Sequence, residues 1–480
     1  MKLSKLSIPY RAGQKLLAVV FFIVFFSPGS LATGSLAIVF AVLVSILGIV
    51  AAVLIYEYLY WKNFEYTVEQ DGLKIISGVI SKNDRDIPLK RIQNVDINRN
   101  ILQRALGIAK ADVETAGGGQ TEASLKYVEY EDAQRLQKDV RELKNRRKSD
   151  RTDEEQGEKR DDFVLSDRDL TVLSLASIDM RVIGGLAVMA SFLGGSVWSQ
   201  IDGALPQTAG AAVILVLGLF MALGIWISTA AKKFAQYYDF RLQFHENALE
   251  YERGLFNRSS GTIPEEKIQD IIIEENLVQR YFGYASLKVE TAGSTVQQGT
   301  EVGDGSETVI PLAKRDQLER FAREIGGYTK PEFETVDPKA KSRYFRRYLF
   351  TGLLLGVFTF LAAQIVDLAW PVYIPPALII LFSRKAAELK WKSIGYYLDE
   401  KRVFTRKGFW NRKTYVIPYF RIQNLIETRT IFQRRWRQST LLLDTAGSTR
   451  SFPKIIDMDS EEAQVLREHL FDSFKTSLRQ

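Results

Sequence analysis

Few side chains in this sequence have the types and spacing that chemistry requires. The 480 residues contain no cysteine and only two histidines, His245 and His469, which excludes disulfide scaffolds, thiol chemistry and zinc fingers. An acidic residue precedes each of three Thr-Ala-Gly triplets, at Glu114, Glu290 and Asp444. The aspartic-protease triplet is Asp-Thr-Gly and needs a second carboxylate that shares a proton. These three positions are therefore interpreted as strand ends, and no catalytic residue is predicted.

The residues that recur belong to a threefold internal repeat. Gly78–Gly117, Gly254–Gly293 and Gly408–Gly447 align without a gap, and ten of the forty columns are identical in all three copies. Such a match indicates internal duplication. The repeat signature comprises Pro88, Gln93, Arg104 and Gly117 in the first copy, Pro264, Gln269, Arg280 and Gly293 in the second, and Pro418, Gln423, Arg434 and Gly447 in the third.

Two interpretations of the signature glutamines and arginines are open. In the structural one, the glutamine amide bridges backbone groups and the arginine ties a short helix to a neighbouring carboxylate. In the functional one, both side chains contact a ligand. The structural interpretation is favoured, because positions that maintain a fold survive in every copy after the functions of the copies diverge.

The third repeat carries a positive charge that the second lacks. Arg384–Gly447 contains fifteen Lys and Arg against five Asp and Glu, a balance of +10, whereas the aligned span Ala230–Gly293 has eight against ten, a balance of −2. Basic residues beside tryptophan are typical of a membrane interface, where each cation gains about 1 kcal/mol from anionic lipid. Specific lipid recognition and simple anchoring beside the membrane both fit this pattern. The candidate lipid-contact residues are Trp410, Arg412, Lys413, Arg429, Arg434, Arg435, Trp436 and Arg437.

Each repeat predicts strands followed by one long helix. The hydrophobic period is mostly two, which is typical of strands, and the Ile-Pro proline is expected at a strand start or edge. A short helix follows and ends at Gly107 or Gly283, where glycine takes the left-handed conformation; the third copy has Arg437 there. An amphipathic helix closes each module. We expect a small antiparallel barrel or sandwich with a helical cap.

The apolar residues are concentrated in uncharged runs that occur in pairs. A spanning helix needs about 20 apolar residues, so the runs predict three transmembrane hairpins. The last run is shorter and contains three prolines, so a kinked spanning helix and a re-entrant segment are both open. The runs are Leu16–Leu31, Leu36–Tyr56, Val182–Trp198, Gly210–Ala231, Tyr348–Val366 and Ala369–Phe382.

The charges that flank these runs predict their orientation. Lys and Arg lie at the outer ends of each pair, whereas the turns inside the pairs carry only Asp202 and Asp367. By the positive-inside rule, both termini and all three modules of this multi-pass cell-membrane protein lie in the cytoplasm. The predicted organisation is a first hairpin (1–60) and module (61–145), a charged linker (146–178), a second hairpin (179–232) and module (233–326), a linker (327–345), and a third hairpin (346–386) and module (387–480).

The order of these motifs resembles a known family. Paired apolar helices, strands with Ile-Pro and Ile-Gln, then Gln-Arg and a Thr-Ala-Gly strand are similar to the bacterial pleckstrin-homology-like domain of YdbS- and YdbT-type membrane proteins, and the triple arrangement is similar to the YdbT-like members. The resemblance covers essentially the whole chain. It implies an α+β fold in which each module is a PH-like barrel of about seven strands capped by a C-terminal helix. It also implies a bacterial cytoplasmic membrane location and a role in tolerance of membrane-active antimicrobial compounds.

The functional expectation is a non-enzymatic scaffold. The modules are expected to bind membrane lipids or a partner protein, such as a smaller single-module paralogue, and to use neither cofactor nor metal nor nucleic acid. The alternative is a transporter or extruder of amphiphilic compounds whose path runs through the hairpins. No Asp, Glu, Lys or Arg lies deep within an apolar run, which argues against ion-coupled transport.

Overall fold

The structure is a computed structural model of the chain. It describes residues 1–26, 36–115, 123–149, 162–176, 207–292, 306–364, 373–447 and 452–477, apart from positions 70, 80, 90, 246, 247 and 329.

Twelve helices lie within the described residues. They are α1 (Ser7–Phe26), α2 (Leu36–Lys62), α3 (Ile101–Ala105), α4 (Tyr130–Ser149), α5 (Asp167–Ala176), α6 (Gln207–Tyr237), α7 (Leu277–Tyr281), α8 (Arg315–Gly326), α9 (Lys339–Ala363), α10 (Ile374–Lys392), α11 (Ile431–Arg435) and α12 (Ser460–Ser477).

Twenty strands form antiparallel ladders in the same part of the chain. They are β1 (Glu65–Glu69), β2 (Gly72–Ser77), β3 (Asn83–Pro88), β4 (Ile92–Arg99), β5 (Ile108–Thr115), β6 (Ala123–Glu129), β7 (Phe163–Val164), β8 (Arg241–His245), β9 (Ala248–Arg253), β10 (Arg258–Pro264), β11 (Ile268–Asn276), β12 (Tyr284–Thr291), β13 (Glu307–Lys314), β14 (Glu334–Thr335), β15 (Gly395–Leu398), β16 (Arg402–Lys407), β17 (Asn411–Pro418), β18 (Ile422–Thr428), β19 (Gln438–Thr445) and β20 (Lys454–Asp459).

The chain divides into two compact units. Unit 1 comprises Met1–Asp162 and Ala235–Ile263, and unit 2 comprises Phe163–Phe234 and Pro264–Gln480. Unit 1 therefore holds the first module and the strands β8–β10 of the second, and unit 2 holds the strands β11–β13 of the second module and the third module. The sheets do not follow the repeat boundaries.

The first module in unit 1 is a three-stranded sheet, β1-β2-β3, packed on the ladder β4-β5-β6. Alternate residues of both sheets, such as Leu73, Val95 and Leu125, are buried in one core. The helix α4 covers this core with Ala133 and Leu136, as its apolar spacing predicts. Two sheets and a closing helix share one hydrophobic centre, which is the arrangement that the strand and helix periodicities indicated.

The third module in unit 2 repeats this plan. The strands β14–β17 and β18–β20 enclose a core to which α12 contributes Ala463, Leu466 and Leu470. The buried tyrosines Tyr415 and Tyr419 fill the centre, and the Tyr419 hydroxyl donates to the Asp399 carbonyl at 2.7 Å. The second repeat contributes α8, whose Leu318 and Ala322 are buried, to unit 2.

Strand pairing joins successive repeats. In unit 1, β4 of the first repeat pairs with β10 of the second, and in unit 2, β11 of the second repeat pairs with β17 of the third. We call each of these junctions a seam. Because the repeats align without a gap, the two registers can be compared, and they are the same. The matched pairs are Ile97–Ser260 and Ile273–Thr414, Asn98–Ser259 and Glu274–Lys413, and Arg99–Arg258 and Glu275–Arg412.

The repeated proline does not begin a strand in any copy, and only Pro88 lies on an edge strand of the described sheets, β3. Pro88, Pro264 and Pro418 close the strands β3, β10 and β17 rather than begin them. In the second and third repeats, a single 3₁₀ turn follows the proline at once. Since proline fixes its own φ, it suits the step from an extended strand into this turn.

Each hairpin described at its base is fastened to the module that follows it. In unit 1, the Trp61 indole on α2 donates to the Leu3 carbonyl at 2.7 Å. In unit 2, Trp391, the aligned residue on α10, donates to the Val336 carbonyl at 2.9 Å. The chain ahead of each hairpin also pairs with the first strand of its module, as in the pairing of β14 with β15. A helix of the hairpin and the module are therefore held together by hydrogen bonds.

The expected three transmembrane hairpins are matched only in part. Among the described residues, α9 is the one helix that is long and apolar enough to cross a membrane by length and composition. The helices α2 and α6 cover the whole of the second and fourth apolar runs, and α1 covers part of the first. The third run, Val182–Trp198, lies outside the described residues, and α10 begins at Ile374 within the sixth run.

Candidate functional site

The Gln-Arg pair of each repeat lies on the short helix that follows the first strand of the second sheet. The same capping box precedes this helix in all three copies, and in it the side chain of Gln103, Gln279 or Gln433 accepts from the backbone N–H of the residue just before the helix. That residue is Asn100 or Asn276 in the first two repeats and Thr430 in the third. The glutamine that precedes the signature arginine is therefore structural.

The signature arginines have a partner that the sequence did not predict. Arg104 Nη1 donates to the carbonyl of Leu255 at 2.7 Å, and Arg280 Nη1 donates to the carbonyl of Phe409 at 3.3 Å. Leu255 and Phe409 are aligned residues in the hairpin turn of the next repeat. The expected carboxylate partner is thus wrong, since the acceptor is a main-chain carbonyl across the seam.

The carbonyls of Leu255 and Phe409 lie in hairpin turns with the same backbone geometry. The turn begins at Gly254 or Gly408, whose φ values of +113° and +93° favour glycine. A Cβ at Gly254 would meet the Asn257 carbonyl oxygen at 2.0 Å. The first repeat has the same turn at Gly78, with φ of +121°. Each repeat therefore offers a turn to a preceding arginine and an arginine to a following turn.

Ion pairs close the second seam. Arg412 on β17 binds the buried Glu275 of β11, which Arg315 also approaches at 3.5 Å. Next to them, Lys413 Nζ lies 3.9 Å from Glu274. Burial lowers the pKa of Arg412, and the charge of Glu275 opposes that shift. The side chains of Arg412 and Lys413 are only 15% and 19% exposed. The structure thus places these two candidate lipid contacts in the seam.

The first seam contains a groove at the same place. Ile101 and Arg104 of α3 face Leu255 and Phe256 of the turn around a shallow space of about 510 Å³. Phe256 is exposed, as is Trp410, its aligned residue in the third repeat.

Of the remaining candidate lipid contacts, Trp436 lies against α9. Arg434, Arg435 and Arg437 are exposed, while Trp436 is half-buried beneath the guanidinium of Arg346, 4.2 Å from its ring centroid. Arg429 donates to Glu427 at 2.7 Å. The structure therefore brings Trp436 of the Arg-Trp-Arg run against the basic base of the third hairpin, and lipid contact there stays a prediction.

A buried polar cluster links the third module to its hairpin. Asp457 on β20 accepts from Tyr344 and Arg343 of α9, and Gln433 donates to it at 2.7 Å. Lys390 of α10 lies 4.5 Å from the Tyr344 ring centroid. Burial lowers the pKa of Lys390 to about 8, and Arg347 adds to this shift. Sequence reasoning missed Asp457, since more than a hundred residues separate it from its helix partners.

The other signature residues are ordinary parts of strands and turns. Gln269 donates to the Lys267 carbonyl at 3.0 Å, which agrees with the predicted amide bridge, and Gln423 is exposed. Gly447 lies beside Glu290, since a Cβ there would meet the Glu290 carboxylate at 2.7 Å. Glu290 and Asp444 lie near the ends of β12 and β19, as predicted. The side chain of Gln93 and the glycines Gly117 and Gly293 lie outside the described residues.

Comparison with known proteins agrees with the repeat. A family model described as a bacterial PH domain matches residues 18–144, 187–329 and 351–473. Each match takes in apolar segments and the module that follows them. The chain is also 26% identical, over 421 residues, to the UPF0699 transmembrane protein YdbT of Bacillus subtilis (strain 168), with 81% of each chain covered. Both findings confirm the resemblance that the motifs indicated.

Proposed function

Since this chain belongs to the bacterial PH-domain family, we propose that it is a non-enzymatic scaffold of the bacterial cell membrane, multi-pass, with both termini and all three modules in the cytoplasm. One observation carries the proposal. The arginine that recurs in every copy holds one repeat to the next through a main-chain carbonyl, at the same place in both seams. Repeated arginines that join one repeat to the next support a binding platform rather than a reaction centre.

The fastening of modules to hairpins supports the same function. The indoles of Trp61 and Trp391 bond the segments ahead of their hairpins, which pair with the modules, and the cluster around Asp457 joins the third module to α9 directly. A module held in this way stays close to the bilayer, where it can meet lipid headgroups and other membrane proteins. We expect the partner to be a membrane protein, such as a single-module paralogue.

Purification from native membranes tests the scaffold. The full-length tagged chain, extracted in mild detergent, should retain a second membrane protein in a fixed ratio. The competing function is transport of amphiphilic compounds. If the chain alone, reconstituted in vesicles, moved a fluorescent amphiphile across the bilayer and retained no partner, the scaffold would be rejected.

Arg435 and Arg437 are proposed to bind anionic headgroups. Both are exposed beside Trp436 at the base of α9, and each cation near an anionic surface gains about 1 kcal/mol. The double variant Arg435→Gln/Arg437→Gln should retain fewer anionic lipids than the wild type after extraction, by quantitative lipid analysis. The control is Arg135→Gln/Lys138→Gln, which removes two exposed charges from α4. Equal lipid retention in the two variants would contradict headgroup binding.

Tolerance of membrane-active antimicrobial compounds is the physiological role that the family resemblance implies. A scaffold can support tolerance without chemistry on the compound. Deleting the gene should lower the concentration of such a compound that inhibits growth, and the full-length chain should restore it. Unchanged inhibition would remove this role and leave the scaffold untouched.

A further inference from the structure

The third repeat contains one half of a seam. Its strand β18 aligns with β4 and β11, each of which has hydrogen-bonded neighbours on both sides. In the described part of the chain, β18 is bonded only to β19. Because an edge strand presents unpaired backbone N–H and C=O groups, β18 can receive another strand.

Exposure along β18 marks the same edge. Ile272, in the middle of β11, is fully buried, whereas Ile426, its aligned residue in β18, is 46% exposed. Leu425 is half-buried beside it. Proteins usually guard a free edge with charged residues, as β3 does with the exposed Asp84, Arg85 and Asp86. The centre of β18 instead exposes the apolar Ile426, while its charged neighbour Glu427 is paired with Arg429.

Arg434, the signature arginine of the third repeat, has no turn carbonyl as an acceptor in the described part of the chain. Arg104 and Arg280 donate across their seams to the turn of the next repeat. Arg434 is the aligned residue and is exposed. On the same helix, Ile431 and Phe432 are exposed.

We propose that β18 and Arg434 form a docking edge for the strand-turn unit of a PH-like module in a different polypeptide. The occupant adds its strand to β18, as β10 and β17 add to β4 and β11, and its turn carbonyl accepts from Arg434. This inference rests on the proposed scaffold function and identifies the surface that the partner binds.

Charge disfavours a second copy of this chain as the occupant, because the copy would bring two like-charge pairs where the first seam holds one, Arg99 opposite Arg258. In a second copy, the strand that aligns with β10 and β17 and lies at a sheet edge among the described strands is β3. The shared register would place its Asp84 opposite Glu427 and the preceding Lys82 opposite Arg429. The second seam instead sets Glu275 against Arg412 and Glu274 against Lys413. Like charges directly opposite one another destabilise a strand pair. We therefore expect a partner strand with an acidic residue opposite Arg429 and no acidic residue opposite Glu427.

A photo-crosslinking amino acid at Thr428 tests the edge in intact membranes. Thr428 is exposed on β18, and its aligned residue Glu274 faces Lys413 in the second seam. In cells of the native organism, the adduct should map to the strand ahead of the proline of a PH-like module in another protein. An adduct at Asn83–Pro88 of this chain would show that the occupant is a second copy, and an absent adduct would show that β18 is not used. Either result overturns the proposal.

A designed copy of this chain supplies a defined probe. The variant Lys82→Glu/Asp84→Lys converts both like-charge pairs into opposite-charge pairs. When this tagged variant is co-expressed with the chain that carries the crosslinker at Thr428, adducts at β3 should rise at least tenfold over those with the unaltered tagged copy. Equal yields would contradict the shared register.

The substitution Ile426→Asp separates this inference from the scaffold function. It places a charge on an exposed strand position and should abolish the Thr428 adduct and the retained partner together. A partner that is still retained with Ile426→Asp would disprove the edge and leave the scaffold standing. The control Val465→Asp changes an exposed apolar residue on α12 and should retain both signals.

Discussion

The residue after the short helix has a left-handed backbone in all three repeats, although it is glycine in two of them and arginine in the third. Gly107 and Gly283 hold φ values of +67° and +70°, and Arg437 holds +53° at the aligned position. The amide of each residue bonds the signature arginine's carbonyl, so the backbone is the same in all three. A side chain in the left-handed region costs about 1–2 kcal/mol of stability. In the third repeat this cost accompanies an additional positive charge, that of Arg437.

Substitutions at this position should have opposite signs. Gly283→Ala should lower the free energy of unfolding by about 1 kcal/mol, because nothing lies within 4 Å of the new Cβ and only backbone strain acts. Arg437→Gly should raise it by up to about 1 kcal/mol. Thermal unfolding of the solubilised chain measures both. A stabilising Gly283→Ala would contradict the left-handed geometry.

Lys390 makes the stability of the third module depend on pH. Burial lowers its pKa to about 8, whereas an unfolded lysine keeps a pKa near 10.4. Between these values the unfolded chain binds more protons than the folded chain, so stability should rise as pH rises from about 8 to 10. Lys390→Met should flatten that rise in the thermal midpoint. Lys392→Met, at an exposed neighbour, should leave it intact, and equal slopes in both variants would contradict the assignment.

At the element scale, local patterns were predictable and the seams were not. The closing helices α4, α8 and α12 follow from apolar residues three and four apart, and the strands follow from alternation. The paired residues of each seam are separated by more than 130 residues, so no local pattern joins them. Opposite charges could have indicated the second seam, where Glu274 and Glu275 lie opposite Lys413 and Arg412. The first seam has no such charge complementarity, because Arg99 lies opposite Arg258.

The ion pair of the second seam should be strongly coupled. Glu275 is buried, so Arg412→Gln leaves a carboxylate with Arg315 alone and should destabilise the chain by about 3 kcal/mol. The double variant Glu275→Gln/Arg412→Gln should cost less than the two single changes together, with a coupling of about 1–3 kcal/mol. Additive losses in thermal unfolding would mean that the two side chains act independently.

At the scale of the whole molecule, the repeat has a double consequence. The first and third repeats each supply a module tied to the base of the helices ahead of it, and every repeat offers one half of a seam on either side. Three repeats therefore form two seams and leave two half-seams, one with charged β3 and one with apolar β18. The sequence predicted the three modules, because duplication is visible in the residues. It predicted neither the seams nor the open edge, because a local sequence pattern shows that a segment is a strand but not which distant strand it pairs with.

Disulfide formation across both seams in native membranes tests this architecture most directly, since the chain has no cysteine of its own. The directly opposed pairs Asn98→Cys/Ser259→Cys and Glu274→Cys/Lys413→Cys should each form an intramolecular bond under mild oxidation. Moving one partner by a single residue, to Ser260 or Thr414, turns its side chain to the other face of the sheet and should abolish the bond. Equal bonding in the opposed and shifted pairs, or bonds only between separate chains, would contradict the joining of repeats through one shared strand register.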